Sequence, residues 1–258
     1  MKKCSKFKPL ITYFIWLGCF LLIQLIWEWI FLRFHIGNNL GLQKRILFRI
    51  DFMEIITFIF CVSLNHFYTH EKILFKKTFY CSFLGDFLII FYMIVFRMNL
   101  VRMHAPLYCL LTALLIACAE EFIMRGMLLP SILHNVHRKY AIWKAIFLSS
   151  FLFGLTHLMN IMHQSFYQTL LQIMGTFFLG IIFAVIYLKS GNLLMPILLH
   201  GTVDACSIGI STSHTTAILN NHGNLEGIVI LLGLASLFLL TIISKKQQKQ
   251  ISKRFDLQ

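Results

Sequence analysis

The sequence is short of charge, and above all of acidic charge. Only 13% of the 258 residues are charged and only 10 are Asp or Glu, whereas soluble domains carry about 25% charged residues. Proline is also scarce, with four in all, and 58% of the residues are apolar. These values exclude an ordinary soluble domain. Together with a mean hydropathy of +0.77, they predict a polytopic membrane protein.

Several catalytic and metal-binding motifs are also missing. The seven cysteines are scattered and never form Cys-x-x-Cys, so we expect apolar thiols rather than disulfides or a thiolate metal site. There is no His-Glu-x-x-His sequence and no convincing Gly-x-Ser-x-Gly elbow. These absences argue against a zincin-type metalloprotease and a serine hydrolase.

The strong positive charge has a membrane explanation. The formal net charge is +13, but the basic residues lie between and beyond the apolar blocks, where the membrane surface accounts for them. We therefore expect no nucleic-acid partner, and a lipid bilayer as the surroundings. The apolar stretch 10–32 is too long for a signal-peptide core, so we expect a retained first span.

Apolar runs of about 20 residues predict eight transmembrane helices. These are 10–32, 50–67, 79–97, 106–130, 143–160, 166–188, 193–213 and 226–243. The fold class is thus an all-α, polytopic membrane helical bundle. We divide it into N-terminal helices (1–104), a core (105–210), and a last span with a basic tail (211–258).

Loop charges predict the orientation. With eight spans, sixteen of the 23 Lys and Arg residues fall on the side of both termini and six on the other side. The positive-inside rule then places both termini in the cytoplasm, and we expect the cell membrane of a bacterium. The basic stretch 33–49 is discordant, and we interpret it as an amphipathic segment on the membrane surface.

Charged residues inside the fourth span are the main functional signal. Glu120, Glu121 and Arg125 interrupt an apolar run, and ionisable residues at such depth are costly unless they are paired or face a wet cavity. Glu121 and Arg125 are spaced i, i+4, which favours an ion pair. Glu120 is turned about 100° away and is left to face a cavity. Glu28 and Glu54 lie near the ends of predicted spans, so we expect them to reach the membrane interface.

Two later spans bring polar residues to a similar depth. His157 ends the sequence Phe153-Gly-Leu-Thr-His, and His200 lies four residues before Asp204. At 1.5 Å per residue, Glu120, His157 and His200 lie roughly 15, 21 and 11 Å from the cytoplasmic ends of their spans. These groups can therefore meet near the middle of the membrane.

The three segments together resemble the CPBP family of CAAX-protease and bacteriocin-processing (Abi) intramembrane peptidases. The matching motifs are Glu120-Glu121-x-x-x-Arg125, Phe153-x-x-x-His157 and His200-x-x-x-Asp204, on three different spans and in the family order. Arg125-Gly126 and the stretch Gly191-Asn-Leu-Leu-Met-Pro196 agree as well. The resemblance covers roughly residues 105–210 and does not extend to the first three spans.

The resemblance implies a glutamate-dependent endopeptidase. Glu120 and His157 would activate a water, His200 and Asp204 would lie at the oxyanion side, and Glu121 with Arg125 would support the site. An ionised aspartate cannot donate a hydrogen bond, so Asp204 either is protonated or orients His200. The family mechanism uses no cofactor and no metal. Because two histidines with carboxylates also suit zinc, a metal-dependent variant is the alternative.

The leading hypothesis is thus an intramembrane endopeptidase that cleaves a peptide or a membrane protein. In this family such a chain suggests maturation of a bacteriocin or signalling peptide, or self-immunity to one. The alternative is a non-proteolytic immunity or scaffold protein of the same fold. A transporter built on the same acids is disfavoured, because the chain has no inverted repeat or matching broken helices.

Overall fold

The structure is a computed structural model that describes residues 8–37, 42–75, 106–136, 140–162, 164–212, 222–241 and 243–256. These residues form an all-α architecture, as the sequence predicts, and contain no β-strand beyond an isolated bridge between Phe75 and Asn192. The helices are α1 (Lys8–Arg33), α2 (Leu42–Leu64), α3 (Pro106–Glu121), α4 (Leu129–Asn135), α5 (Ala141–Thr156), α6 (Phe166–Ser190), α7 (Leu194–Thr212), α8 (His222–Thr241) and α9 (Lys245–Arg254).

Among the described residues, four helical stretches are long and apolar enough to cross a membrane. They are Pro9–Arg33, Leu107–Asn135, Ala141–Met162 and Phe166–Ser190, and they match the first, fourth, fifth and sixth predicted spans. A pair of helices bent by 87°, Glu226–Thr241 and Lys245–Arg254, contains most of the eighth and makes up to five candidates. The helical membrane bundle predicted from the sequence is therefore confirmed.

Among the described residues, two further predicted spans do not reach the length and hydropathy of these four. The second lies mainly in α2, which begins at Leu42 within the basic stretch. The seventh lies in α7, a helix of 19 residues whose apolar part is Leu194–Ala205. The third, 79–97, lies outside the described residues. The basic stretch is thus in part the first turns of α2, so its residues 42–49 are not a separate surface segment.

Glycines allow the central helices to approach one another closely. A Cβ atom on Gly201 of α7 would lie 2.7 Å from Leu114 Cδ2 and 3.3 Å from Leu114 Cα on α3. A Cβ on Gly180 of α6 would lie 2.9 Å from the Cβ of Ser150 on α5. A larger residue at either position would require its neighbour to shift, so α7 lies directly against α3 and α6 against α5. The contact between α3 and α7 brings Glu121 within 2.9 Å of His200.

The turn between α6 and α7 sets the start of the helix that carries His200. Gly191 ends α6 in the left-handed region, with φ of 64°, a conformation that glycine adopts without a steric cost. Arg254 of α9 donates from Nη1 to the carbonyls of Leu188 and Lys189, at 2.7 and 2.6 Å. These bonds satisfy carbonyl groups at the end of α6 that have no partner within the helix.

Candidate active site

The helix that carries the two adjacent glutamates changes its winding immediately after them. α3 ends at Glu121 and continues as a π-helical segment from Phe122 to Leu128, whose residues are all buried. π-helical segments are rare and frequently lie at functional sites. No sequence pattern predicts this segment, because its residues, apart from Arg125, continue the apolar run of α3. Arg125 lies in its middle.

The ion pair predicted between Glu121 and Arg125 is present and fully buried. Arg125 Nη1 donates to Glu121 Oε1 at 2.8 Å, and the two side chains are 1% and 0% exposed. Arg125 Nη2 donates to the carbonyl of Gly180 at 3.3 Å. The guanidinium carbon also lies 4.6 Å from the ring centre of Phe153 and 5.4 Å from that of Phe183. Arg125 thus binds α3, α5 and α6 together and neutralises Glu121.

His200 lies among three carboxylates. Its Nδ1 is 2.9 Å from Glu121 Oε1, and its Nε2 is 3.3 Å from Asp204 Oδ2 and 3.5 Å from Glu120 Oε2. Because Glu121 is held as a carboxylate by Arg125, we assign the Nδ1–H as donor to Glu121. Glu121 therefore orients His200 in addition to pairing with Arg125, a role that the sequence did not reveal. The ring stacks on Phe183, with 5.2 Å between ring centres.

His157 lies at the point where α5 becomes a 3-10 turn, His157–Met162. Its Nδ1 is 3.2 Å from Thr156 Oγ1, and the Thr156 hydroxyl donates to the carbonyl of Phe153 at 2.7 Å. Because the single hydroxyl proton is used there, Thr156 Oγ1 accepts from His157 Nδ1–H. That tautomer leaves Nε2 of His157 as a proton acceptor.

A cavity of about 270 Å³ connects Glu120 with His157. Thr156, Met159, Asn160 and Met162 line it on the side of His157, and Ala119 lies beside Glu120. The remaining lining residues come from the first two helices and are Trp16, Phe20, Gln24, Glu54 and Thr57. Glu120 and His157, which the sequence selected as a pair, therefore face one common space.

The position predicted for Glu54 is wrong. This side chain is 6% exposed and lines the cavity, whereas the sequence interpretation had it reach the membrane interface. The error follows from the start of α2, because Glu54 is near the middle of a helix that begins at Leu42. Glu28 differs, since it is 38% exposed and pairs with Arg49. That pairing is in keeping with a structural role at the protein surface.

Metal binding was the open alternative for this site. Among the residues that the structure describes, no group of three or more His, Cys, Asp or Glu side chains has the arrangement of a metal site. His200 instead faces carboxylates with both ring nitrogens. That the reaction needs no metal and no other cofactor stays a prediction. Inhibition of peptide cleavage by a chelator tests it.

Fold and site together define a helical membrane protein with a buried carboxylate–histidine cluster beside a cavity. Residues 102–206 match the family model described as type II CAAX prenyl endopeptidase Rce1-like. Over this segment the chain is similar to the CPBP family, the same family that its motifs resemble. The match supports an intramembrane protease of the CAAX type.

The match covers 105 of the 258 residues and includes Glu120, Glu121, Arg125, and the three residues His157, His200 and Asp204. It does not include α1 or α2, which supply five of the twelve residues that line the cavity. Comparisons with curated proteins and with solved structures gave no match.

Proposed function

We propose that this protein is an intramembrane endopeptidase in which Glu120 and His157 activate a water for attack on a peptide bond. The observation that carries the proposal is the cavity that Glu120 and His157 share. Both residues lie in the segment that matches the protease family. A carboxylate in such a low-dielectric space is a better proton acceptor near neutral pH than one in water. His157 Nε2, left as an acceptor by the Thr156 contact, orients the water beside it.

The reaction proceeds through a tetrahedral intermediate. Glu120 takes a proton from the water, and the water oxygen forms a bond to the carbonyl carbon of the scissile peptide. The carbonyl oxygen becomes an oxyanion, which His200 stabilises from Nε2. Glu120 then gives its proton to the leaving amine as the C–N bond breaks. The product is a free carboxyl group and a free amine, so the reaction consumes one water.

The other polar residues hold His200 in place. Glu121 accepts from Nδ1 at 2.9 Å, and Arg125 fixes Glu121. Asp204 lies 3.3 Å from Nε2, a position that favours the orienting role over direct donation to the oxyanion. For the site as a whole, we infer that Glu120 and His157 act on the water. The remaining polar residues act by positioning His200.

The substrate class is a peptide or the membrane segment of a protein. With both termini in the cytoplasm, the site faces the cytoplasmic half of a bacterial membrane, which suits maturation of a bacteriocin or signalling peptide, or self-immunity to one. The matching family description also names prenylated CAAX peptides. A test substrate set therefore includes both unmodified and farnesylated peptides.

The test uses the full-length protein in lipid nanodiscs with a library of quenched fluorescent peptides. We expect the parent to cleave members of the library and Glu120→Gln to reduce kcat/KM by about 10²–10⁴. His157→Ala should give a loss in the same range. Glu28→Gln is the matched control, because Glu28 is an acid of α1 that lies outside the cavity.

Two results would count against the proposal. Cleavage by Glu120→Gln at the parental rate removes the proposed role of Glu120, and a parent that cleaves no peptide favours the immunity or scaffold alternative. Cleavage that stops with 1,10-phenanthroline and returns with zinc supports the metal-dependent variant instead.

A further inference from the structure

The first two helices form a wall of the cavity that the protease family match does not cover. Trp16, Phe20 and Gln24 are spaced by four residues on α1, and Glu54 and Thr57 by three on α2. Such spacings place side chains on one face of a helix. Each helix thus presents a continuous stripe toward the space occupied by Glu120 and His157.

Glu54 is buried without a cationic partner. It is 6% exposed, and within the described part of the chain no Lys, Arg or His side chain pairs with it. Among the described residues no Lys or Arg lines the cavity, and the nearby Arg125 is already bonded to Glu121 and Gly180. The other acid of the lining, Glu120, has His200 Nε2 at 3.5 Å, so Glu54 is the acid that lacks a basic partner. Ionisation of a buried carboxyl group is costly unless a positive charge compensates it, so a cationic group that enters the cavity gains a favourable partner in Glu54.

The neighbours of Glu54 suit the recognition of a cation. Aromatic rings attract ammonium and guanidinium groups through their faces, and Trp16 and Phe20 supply two rings. Thr57 is 1% exposed and its hydroxyl oxygen has no hydrogen-bond partner among the described residues. Gln24 adds an amide oxygen that accepts hydrogen bonds. Together with Glu54, these four neighbours combine apolar faces, hydrogen-bond acceptors and an acidic group on two helices.

We propose that this wall, made of Trp16, Phe20, Gln24, Glu54 and Thr57, is a specificity pocket for a Lys or Arg side chain of the substrate. The proposal rests on the proposed endopeptidase function and names the substrate class, a peptide with a basic residue next to the scissile bond. The volume of about 270 Å³ lies just below the roughly 300–1,000 Å³ of pockets for drug-sized ligands. It fits one extended side chain.

A different role for Glu54 makes a different prediction. If Glu54 exchanged a proton with Glu120 during the reaction, its replacement would lower kcat on every substrate alike. A specificity pocket instead discriminates between substrates through an interaction that only the basic peptide makes. The ratio of kcat/KM between matched peptides therefore separates the two roles.

The experiment uses the full-length protein in nanodiscs and peptides cleaved by the parent, each with Lys, Arg, norleucine or Glu placed in turn on either side of the scissile bond. A charge-assisted hydrogen bond of about 1.5–3 kcal/mol corresponds to roughly a 10–100-fold preference. We expect the parent to prefer Lys or Arg over norleucine by that factor at one position. Glu54→Gln should reduce the preference to within about threefold, mainly through KM.

Two further variants complete the set. Glu54→Asp keeps the charge and should retain most of the preference for the basic peptide. Glu28→Gln removes an acid of α1 outside the cavity and should leave the preference at the parental value. Because the preference is first measured on the parent, a variant that fails to fold does not remove the test.

The outcomes distinguish the pocket from the proposed function. A parent that cleaves the Lys and norleucine peptides equally well overturns the pocket while the endopeptidase stands. The pocket is also overturned if Glu54→Gln keeps the parental preference, or lowers kcat equally on all peptides. A parent that cleaves none of the peptides contradicts both the pocket and the endopeptidase.

Discussion

Two buried glutamates in different regions of the molecule have opposite surroundings. Glu121, in the family segment, binds Arg125 and His200 and is 0% exposed. Glu54, on α2 outside that segment, is 6% exposed and has no basic partner among the described residues. Both glutamates are buried, but only Glu121 has its charge compensated by neighbouring side chains. Glu54 has an acceptor group that faces the cavity without such a partner.

The comparison extends to the helices that carry these residues. The family segment brings its own compensating charge, because Arg125 follows Glu121 by four residues and His200 meets both glutamates from α7. The described N-terminal helices bring one acid, Glu54, and two aromatic residues to the cavity, and no Lys or Arg. Under the two proposals, the family segment carries out the reaction and the N-terminal helices select the substrate.

The largest expected effect concerns the paired region. Arg125→Met removes the partner of Glu121 and leaves a buried carboxylate uncompensated, which costs about 3–5 kcal/mol of unfolding free energy. Unfolding in mixed micelles, followed by circular dichroism, measures this loss. The control is Arg49→Met, because Arg49 is 44% exposed in its pair with Glu28, and exposed pairs contribute about 0–1 kcal/mol. Equal losses in the two variants would contradict the role given to Arg125.

The contact between α3 and α7 gives the next largest effect. Gly201→Ala places a methyl group 2.7 Å from Leu114 Cδ2 and 3.3 Å from Leu114 Cα. The Leu114 side chain can turn away but its backbone cannot, so we expect a cost near the lower end of the about 1–3 kcal/mol typical of overpacking. Activity should fall as well, since the displaced helix carries His200. Gly227→Ala on α8 is the matched control, because nothing lies within 4 Å of its Cβ position.

The gain in helix propensity should make that control neutral or more stable by up to about 1 kcal/mol. Thermal unfolding of both variants in the same detergent checks the comparison. If Gly201→Ala is as stable and active as Gly227→Ala, the close approach of the helices is not required.

A smaller effect is expected from the support of His157. Thr156→Val keeps the shape of the side chain but removes the hydroxyl that accepts from His157 Nδ1. The loss of one neutral hydrogen bond of about 0.5–1.5 kcal/mol should lower kcat by roughly 3–10-fold, with little change in KM. Thr156→Ser retains the hydroxyl and should restore the rate. A serine variant as slow as the valine variant would point to packing instead.

The smallest effect is expected at Asp204. Asparagine keeps an oxygen acceptor for His200 Nε2 and can donate as well, so Asp204→Asn should change kcat/KM by less than about fivefold, or 1 kcal/mol. Asp204→Ala removes the contact at 3.3 Å and should be the slower of the two in the peptide assay. The reverse order would show that the negative charge of Asp204 is essential.

Local spacing made much of the paired region predictable. The i, i+4 separations of Glu121–Arg125 and of His200–Asp204 correspond to contacts in the structure. The all-α membrane fold followed from the apolar runs. The contact between Glu120 and His200 was expected for two reasons. The two residues were predicted at a similar depth in the membrane, and the family resemblance places both in one site.

The remaining features depend on contacts that no local pattern encodes. Glu54 was misplaced because basic residues at the start of α2 resemble a loop, although they continue the helix from Leu42. The second role of Glu121, on His200, requires the close packing at Gly201, which spacing along one helix cannot reveal. The π-helical segment at Phe122–Leu128 was not predicted either, because its residues have no distinctive composition.

The central claim is that Glu120 and His157 act on one water. A double-mutant cycle of Glu120→Gln and His157→Ala tests it directly, with kcat on the best-cleaved peptide as the readout. Each single variant should lose about 10²–10⁴ in kcat, and the double variant should be no slower than the slower single variant, because residues that act as a unit are not additive. Losses that multiply in the double variant, or a single variant with the parental rate, would contradict the claim.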